Sequence, residues 1–276
     1  MDFENVLILI QKELRDAFRN RWFLLYAIAF TALSLALAWF SVSGAGSFGV
    51  AGFGRTTAGL INLILLIVPL MGLTLGAMSV AGEREKGTLV YLLAQPISSA
   101  ELLLGKFVGL SLALTAALVI GFGLTGILIA FMGSGGDFMV YLTLLVLSIL
   151  LAVASLSMGF LISAAVKKAA TAVGLALFLW LILVYFGDLG LMGTSMVMQI
   201  DVQQLLALAL INPLQVFKLA AVLDLRDNLE VLGPTGIYAF RAYGQSLWPL
   251  LIGLLFGWVL VPFALATQAF KKRGVL

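Results

Sequence analysis

The sequence predicts an all-α polytopic membrane protein with six transmembrane helices. Three observations lead there. The first is composition: of 276 residues, 62% are hydrophobic and 11% charged, whereas a soluble domain carries about a quarter charged residues. An interior of this size cannot bury so much apolar surface, so lipid must solvate most of it. The second is run length. Crossing about 30 Å of hydrocarbon takes roughly 20 helical residues, and six stretches qualify without a single Lys, Arg, Asp or Glu: Phe23–Val42, Leu60–Val80, Phe107–Met132, Phe138–Ala164, Ala170–Gly187 and Leu247–Thr267. The third is the placement of basic residues between those runs. With the N-terminus inside, the inner segments hold Lys12, Arg15, Arg19, Arg21, Arg84, Lys86, Lys106, Lys167, Lys168, Lys271, Lys272 and Arg273; the outer ones hold only Arg55, Lys218, Arg226 and Arg241. That asymmetry places both termini in the cytoplasm, with the chain in a bacterial inner membrane.

The whole chain, 1–276, reads as a single membrane domain with three structured segments outside its spans. Residues 1–21 form the first, an amphipathic helix lying at the interface. Phe3, Val6, Leu7, Ile10, Leu14, Ala17 and Phe18 recur at three- and four-residue steps, while Glu4, Lys12, Arg15, Asp16 and Arg19 occupy other faces. Such a helix lies in the headgroup plane, either as an anchor flank or as a lever for a cytoplasmic partner. Its mixed charges and the long run that follows do not read as a cleavable signal peptide. Between spans one and two, Gly44–Gly59 is rich in Gly, Ser and Thr, which predicts a connector with little structure.

Residues 82–101 form the second segment. Alternating charges, Glu83-Arg84-Glu85-Lys86, precede Gly87-Thr88 and a short helix with Leu89, Leu92 and Leu93 on one side. Pro96 stops that helix, and Ser98-x-x-Glu101 is a capping box that starts the next one, which runs into span three. The result is a helix–break–helix elbow at the inner surface, either a loop that fixes topology or a docking surface for a cytoplasmic subunit. The third segment, 188–246, is too long for a simple connector. Val202–Ile211 is apolar but too short to cross, which suits a re-entrant or interfacial helix. Val216–Leu225 reads as a second such helix, and Gly233-Pro234-x-Gly236 as a turn.

Composition also excludes chemistry. With no Cys and no His, the chain lacks a thiol nucleophile, a disulfide, the usual zinc ligands and an imidazole base. No Gly-x-x-x-x-Gly-Lys-Ser/Thr motif is present, and a net charge of +3 in scattered clusters leaves no nucleic-acid footprint. Spans without ionic groups argue against a proton- or sodium-driven carrier. Met192, Met196 and Met198 are candidate soft ligands for Cu(I), or simply apolar filler. Gly72, Gly76, Gly105, Gly109, Gly121, Gly123, Gly126 and Gly159 allow close helix packing or dimerisation. Asn62, Thr74, Thr115 and Thr125 suit interhelical hydrogen bonds or the lining of a path.

The run Gly82-Glu83-Arg84-Glu85-Lys86-Gly87-Thr88-Leu89, with Leu92-Leu93, Pro96 and Gly105-Lys106, resembles the inner-loop motif of exporter-type (type 2) ABC permeases. That resemblance implies a homodimer, each copy joined to a cytoplasmic ATPase subunit that holds ATP and Mg, with no cofactor on this chain. It also implies that Glu83–Gln95 is the coupling helix and that short outer helices sit between spans five and six. Within the family, Asn212-Pro213-x-x-x-Phe217-Lys218-Leu219-Ala220 and Gly233-Pro234-x-Gly236-Ile237-Tyr238-Ala239 resemble the permeases that serve nitrous oxide reductase maturation. This implies a periplasmic, copper-handling β-helical partner at the outer segment and a role in copper–sulfur centre assembly. Export of another cargo (peptide, lipid or drug) and a non-transporting scaffold are the competing readings.

Overall fold

A computed structural model describes residues 3–43, 52–95, 97–131, 138–197, 201–224 and 233–273. Eleven α-helices follow one another: α1 Phe3–Arg19, α2 Arg21–Ser43, α3 Gly52–Glu85, α4 Thr88–Leu93, α5 Ser99–Phe131, α6 Phe138–Ala165, α7 Ala169–Val197, α8 Val202–Ile211, α9 Pro213–Asp224, α10 Gly233–Tyr243 and α11 Leu247–Arg273. No strand occurs among the described residues. Each of the six apolar runs falls on one of α2, α3, α5, α6, α7 and α11. Five of these helices are long and apolar enough to cross a bilayer; in α7 the described apolar run, Ala169–Tyr185, is shorter. The chain is an all-α, multi-pass membrane protein.

Helices α3 and α6 form the central pair, and glycine lets them approach. A Cβ on Gly159 would stand 2.5 Å from the carbonyl oxygen of Leu73, one on Gly72 would stand 2.5 Å from that of Ala152, and one on Gly76 would run into the Leu156 carbonyl. Near the inner end, the Ser163 hydroxyl of α6 accepts the amides of Val80 and Ala81 at 3.0 and 2.8 Å. Around this pair, α11 packs on α6, and the Ser157 hydroxyl donates to the Val259 carbonyl at 2.6 Å. Helix α7 lies on α3, α2 lies on α3 and α5, and α1 lies on α5. The glycines thus pack helices within one chain: Gly121 meets Phe30, Gly126 meets Tyr141, while Gly123 faces open space. Of the polar span residues, Thr125 bonds Ser34 across α2 and α5 at 2.8 Å. Thr74 and Thr115 bond back to their own helices, and Asn62 is exposed.

Two expectations are corrected. Helix α3 already begins at Gly52, so the second half of the Gly44–Gly59 connector is helical. The long apolar helix behind it makes each added turn inexpensive, because nucleation is the costly step. Helix α7 continues to Val197, past the apolar run that ends at Tyr185, close to the expected end of span five at Gly187. Gly233-Pro234 opens α10 and is not a free turn; in a first helical turn proline's missing amide hydrogen is no loss.

The two short helices expected after span five are present as α8 and α9, joined at a 110° bend. Asn212 makes the corner. Its amide donates to the Leu183 carbonyl of α7 at 2.7 Å, and its side-chain oxygen accepts the Leu214 amide at 3.0 Å. Helix α9 then packs on α6 and α11, with Val216 and Phe217 at 0% exposure.

The glycine contacts give a test. Gly159→Ala should lower stability by about 1–3 kcal/mol through overpacking, whereas Gly174→Ala, where an added Cβ meets nothing within 4 Å, should be neutral or slightly stabilising. Thermal melting of both variants in detergent checks this; equal melting temperatures would refute the α3–α6 contact.

Candidate functional site: the inner elbow and its charged root

At its inner end α3 stops in a reverse turn. Gly87 closes it at φ 73°, a left-handed conformation open to glycine at no steric cost. The chain then makes the six-residue α4. Leu89 is buried, and Leu92 and Leu93 pack on the same core, so the three leucines form the inward side that their spacing predicts. Five residues after Leu93 the capping box forms in full. The Ser98 amide donates to the Glu101 carboxylate at 2.8 Å, and the Glu101 amide donates to the Ser98 hydroxyl at 3.2 Å. Pro96 lies outside the described residues.

The opposite side of α4 faces out. Val90 is 54% and Tyr91 78% exposed, and Lys86, Gly87, Thr88, Ala94 and Gln95 are exposed around them. At the centre of this small surface stands one exposed aromatic ring, Tyr91, a residue type enriched at protein contacts.

The charged residues before it are engaged inside the fold. Glu83 takes the Lys106 ammonium at 2.6 Å and that of Lys12 at 3.1 Å. Arg84 donates to the Val166 carbonyl, just past the end of α6, at 2.7 Å, where a cation complements the helix dipole. The Glu85 carboxylate accepts the amide of Ala169, the first residue of α7, at 2.8 Å, which places an anion at a helix N-terminus. Thr88 donates to the Glu83 carbonyl at 3.2 Å. Of the predicted docking charges, then, Glu83, Arg84 and Glu85 brace neighbouring helices.

In the sequence Lys106 counts among the inner cations and closes the family-like motif as Gly105-Lys106. It is 1% exposed and lies between Glu83 of α3 and Glu13 of α1, each at 2.6 Å. Lys12 closes the figure, 3.0 Å from Glu13 and 3.1 Å from Glu83. Four alternating charges therefore form a ring across α1, α3 and α5. Burial pushes the Glu13 carboxyl up, but the adjacent Lys106 and Lys12 ammonium groups outweigh it and hold it below the ordinary carboxylate value. Burial likewise lowers Lys12, and its two carboxylates more than reverse this. The signal for Glu13 was its position: Val6, Leu9, Glu13 and Ala17 share the buried stripe of α1, whereas Leu7 and Phe18, expected on the apolar face, are exposed.

On the outer side, the named partner-contact residues divide. Phe217 and Pro213 are buried and Asn212 is committed to the α8–α9 corner; Lys218 is partly exposed. Gly233 and Pro234 start α10. Exposed apolar residues on this side are Leu208, Ile211, Phe240 and Tyr243. Met192 and Met196 lie four residues apart on α7, and Met198 lies outside the described residues.

Comparison with known proteins gives this architecture its place. The family model described as "ABC-2 family transporter protein" matches residues 7–275. A protein of Stutzerimonas stutzeri named "Probable ABC transporter permease protein NosY" is 31% identical, over 95% of this chain and 96% of its own length. Its namesake in Pseudomonas aeruginosa is 34% identical, over 98% of this chain and 99% of its own. The chain belongs to the ABC-2 family of transporter proteins, as a membrane-embedded permease subunit.

Proposed function

We propose that the chain couples ATP hydrolysis by a separate cytoplasmic subunit to rearrangement of its own spans, with α4 as the contact. The carrying observation is the shape of the elbow. Its root is anchored to α1, α5, α6 and α7, while Val90, Tyr91 and Lys86 stand free at its tip. A push on α4 is delivered to four helices through short polar contacts, because none of them can slacken without stranding a buried charge or a helix end. Both termini are cytoplasmic in this reading, the chain works as a homodimer, and ATP and Mg bind the partner subunit.

At the other end, the proposed work is assembly of the copper–sulfur centre of nitrous oxide reductase with a periplasmic partner. Support comes from the near full-length similarity to two proteins named as NosY permeases and from the exposed apolar residues of α8 and α10. Contact with that partner is proposed for Leu208, Ile211, Phe240 and Tyr243, with Lys218 at the edge.

Two measurements test the inner half. Tyr91→Ala combined with Val90→Asp should reduce co-purification of the ATPase subunit by about tenfold or more, as loss of an aromatic anchor does, and leave the melting temperature unchanged. Normal association would remove α4 as the contact. Charge reversal Glu83→Lys should instead lower the stability of the permease itself, by about 3–5 kcal/mol for a broken buried pair, visible as a lowered melting temperature without any ATPase present. A fully stable Glu83→Lys protein would mean that the ring is not formed.

A further inference from the structure

We infer that Lys106 is a positioning residue that fastens the interfacial helix α1 to the root of the elbow, so that α1 and α4 move as one body. This goes beyond the coupling role proposed for α4 and rests on that role only for its ATP-driven half.

The argument begins with what α1 touches. Its backbone packs on α5, and the glycines make this possible: a Cβ on Gly105 would stand 2.6 Å from the Leu9 Cβ, and one on Gly109 would stand 2.8 Å from that of Glu13. Toward α3 the packing gives way to a cavity of about 290 Å³, bordered by Ala17, Asn20, Leu75, Met78 and Gly82. Glu13, Glu83 and Lys106 stand at its wall. The link from α1 to the elbow root is therefore ionic: Lys12 to Glu83 directly, and Glu13 to Glu83 through Lys106.

The choice of charges is informative. Apolar side chains would hold α1 on α5 at less cost, because burying ions forfeits their hydration and the pair recovers it only in a tight geometry. What an ionic ring adds is register. An apolar face tolerates sliding by a fraction of a turn, whereas Lys106 satisfies both carboxylates only where α1 and α3 hold their present offset. The glycine contacts supply closeness and the ring supplies position. With Lys106 next in sequence to Gly105, one turn of α5 carries both functions.

The chain lacks native cysteine, so paired spin labels report unambiguously. Labels at Gln11→Cys on α1 and Ala94→Cys just past α4, both exposed positions, give the distance between the two elements in the full chain in nanodiscs. The expected result is a narrow distribution, widened about twofold in the neutral triple variant Glu13→Gln/Lys106→Met/Glu83→Gln by local opening of α1. In that triple the partly exposed Lys12 keeps Asp16 at 3.7 Å and no charge is left in the buried part of the ring, so it folds where Lys106→Met alone could fail, and a melting curve confirms it. An unchanged width in the folded triple overturns the inference. With the ATPase subunit bound and hydrolysis blocked, the Gln11–Ala94 distance should stay fixed in the parent while a Gln11 to Lys272→Cys distance shifts. A nucleotide-dependent Gln11–Ala94 shift in the parent also overturns it. Failure of the ATPase subunit to bind refutes the coupling role, and the nucleotide-free widths still decide the tie.

Discussion

Glu83, Arg84 and Glu85, three consecutive charged residues at the inner end of α3, each leave that helix in a different direction. One meets Lys106 and Lys12, one meets the end of α6, and one meets the start of α7. Successive side chains on a helix point about 100° apart, so a run of three is the shortest segment that can reach three neighbours. All three contacts are charge-assisted hydrogen bonds, the strong kind. Those of Glu83 and Arg84 are partly buried, where screening is weaker than at a fully exposed surface. Because α4 begins only three residues later, whatever moves it acts on this junction.

Above the junction, the α3–α6 pair provides the rigid member against which other helices can move. Helices in lipid have no hydrophobic force pressing them together, so contact area and polar bonds must do it. Gly72, Gly76 and Gly159 supply the first by bringing backbones together, and Ser163 supplies the second. The outer segment is secured by the same means: Asn212 bonds the α7 backbone and Phe217 fills the space beside α6. The central pair thus carries an attached short helix, α4, at one end, and the bent pair α8–α9 packs against α6 and α7. The elements differ in what they present, an exposed Tyr91 and Lys86 at α4 and exposed Leu208 and Ile211 on α8.

Much of this was legible in the chain. Apolar run length located six helices, because crossing a bilayer sets a minimum length that no short-range preference can disguise. The capping box at Ser98 and Glu101 was readable because both of its hydrogen bonds lie within three residues. The corrected boundaries, at Gly52 and Gly233, are helix starts, where propensity is weak and the neighbouring turn decides.

What the sequence by itself determined is therefore the membrane class, the helices and the elbow between α3 and α5, since each depends on local hydrophobicity or local hydrogen bonding. Only the tertiary structure decided what the charges are for. Glu13 and Glu83 are 70 residues apart in the chain and Lys106 is 23 further on, and no periodicity links them. Read locally, Lys106 is the residue after Gly105 in the family-like motif, and nothing in the neighbouring sequence of either residue points to Glu13 as its partner. Packing α1 onto the glycine face of α5 brings them together, and a buried ion is stable only beside its counter-ion. The partnership of these residues is thus a consequence of helix packing that no stretch of the chain contains.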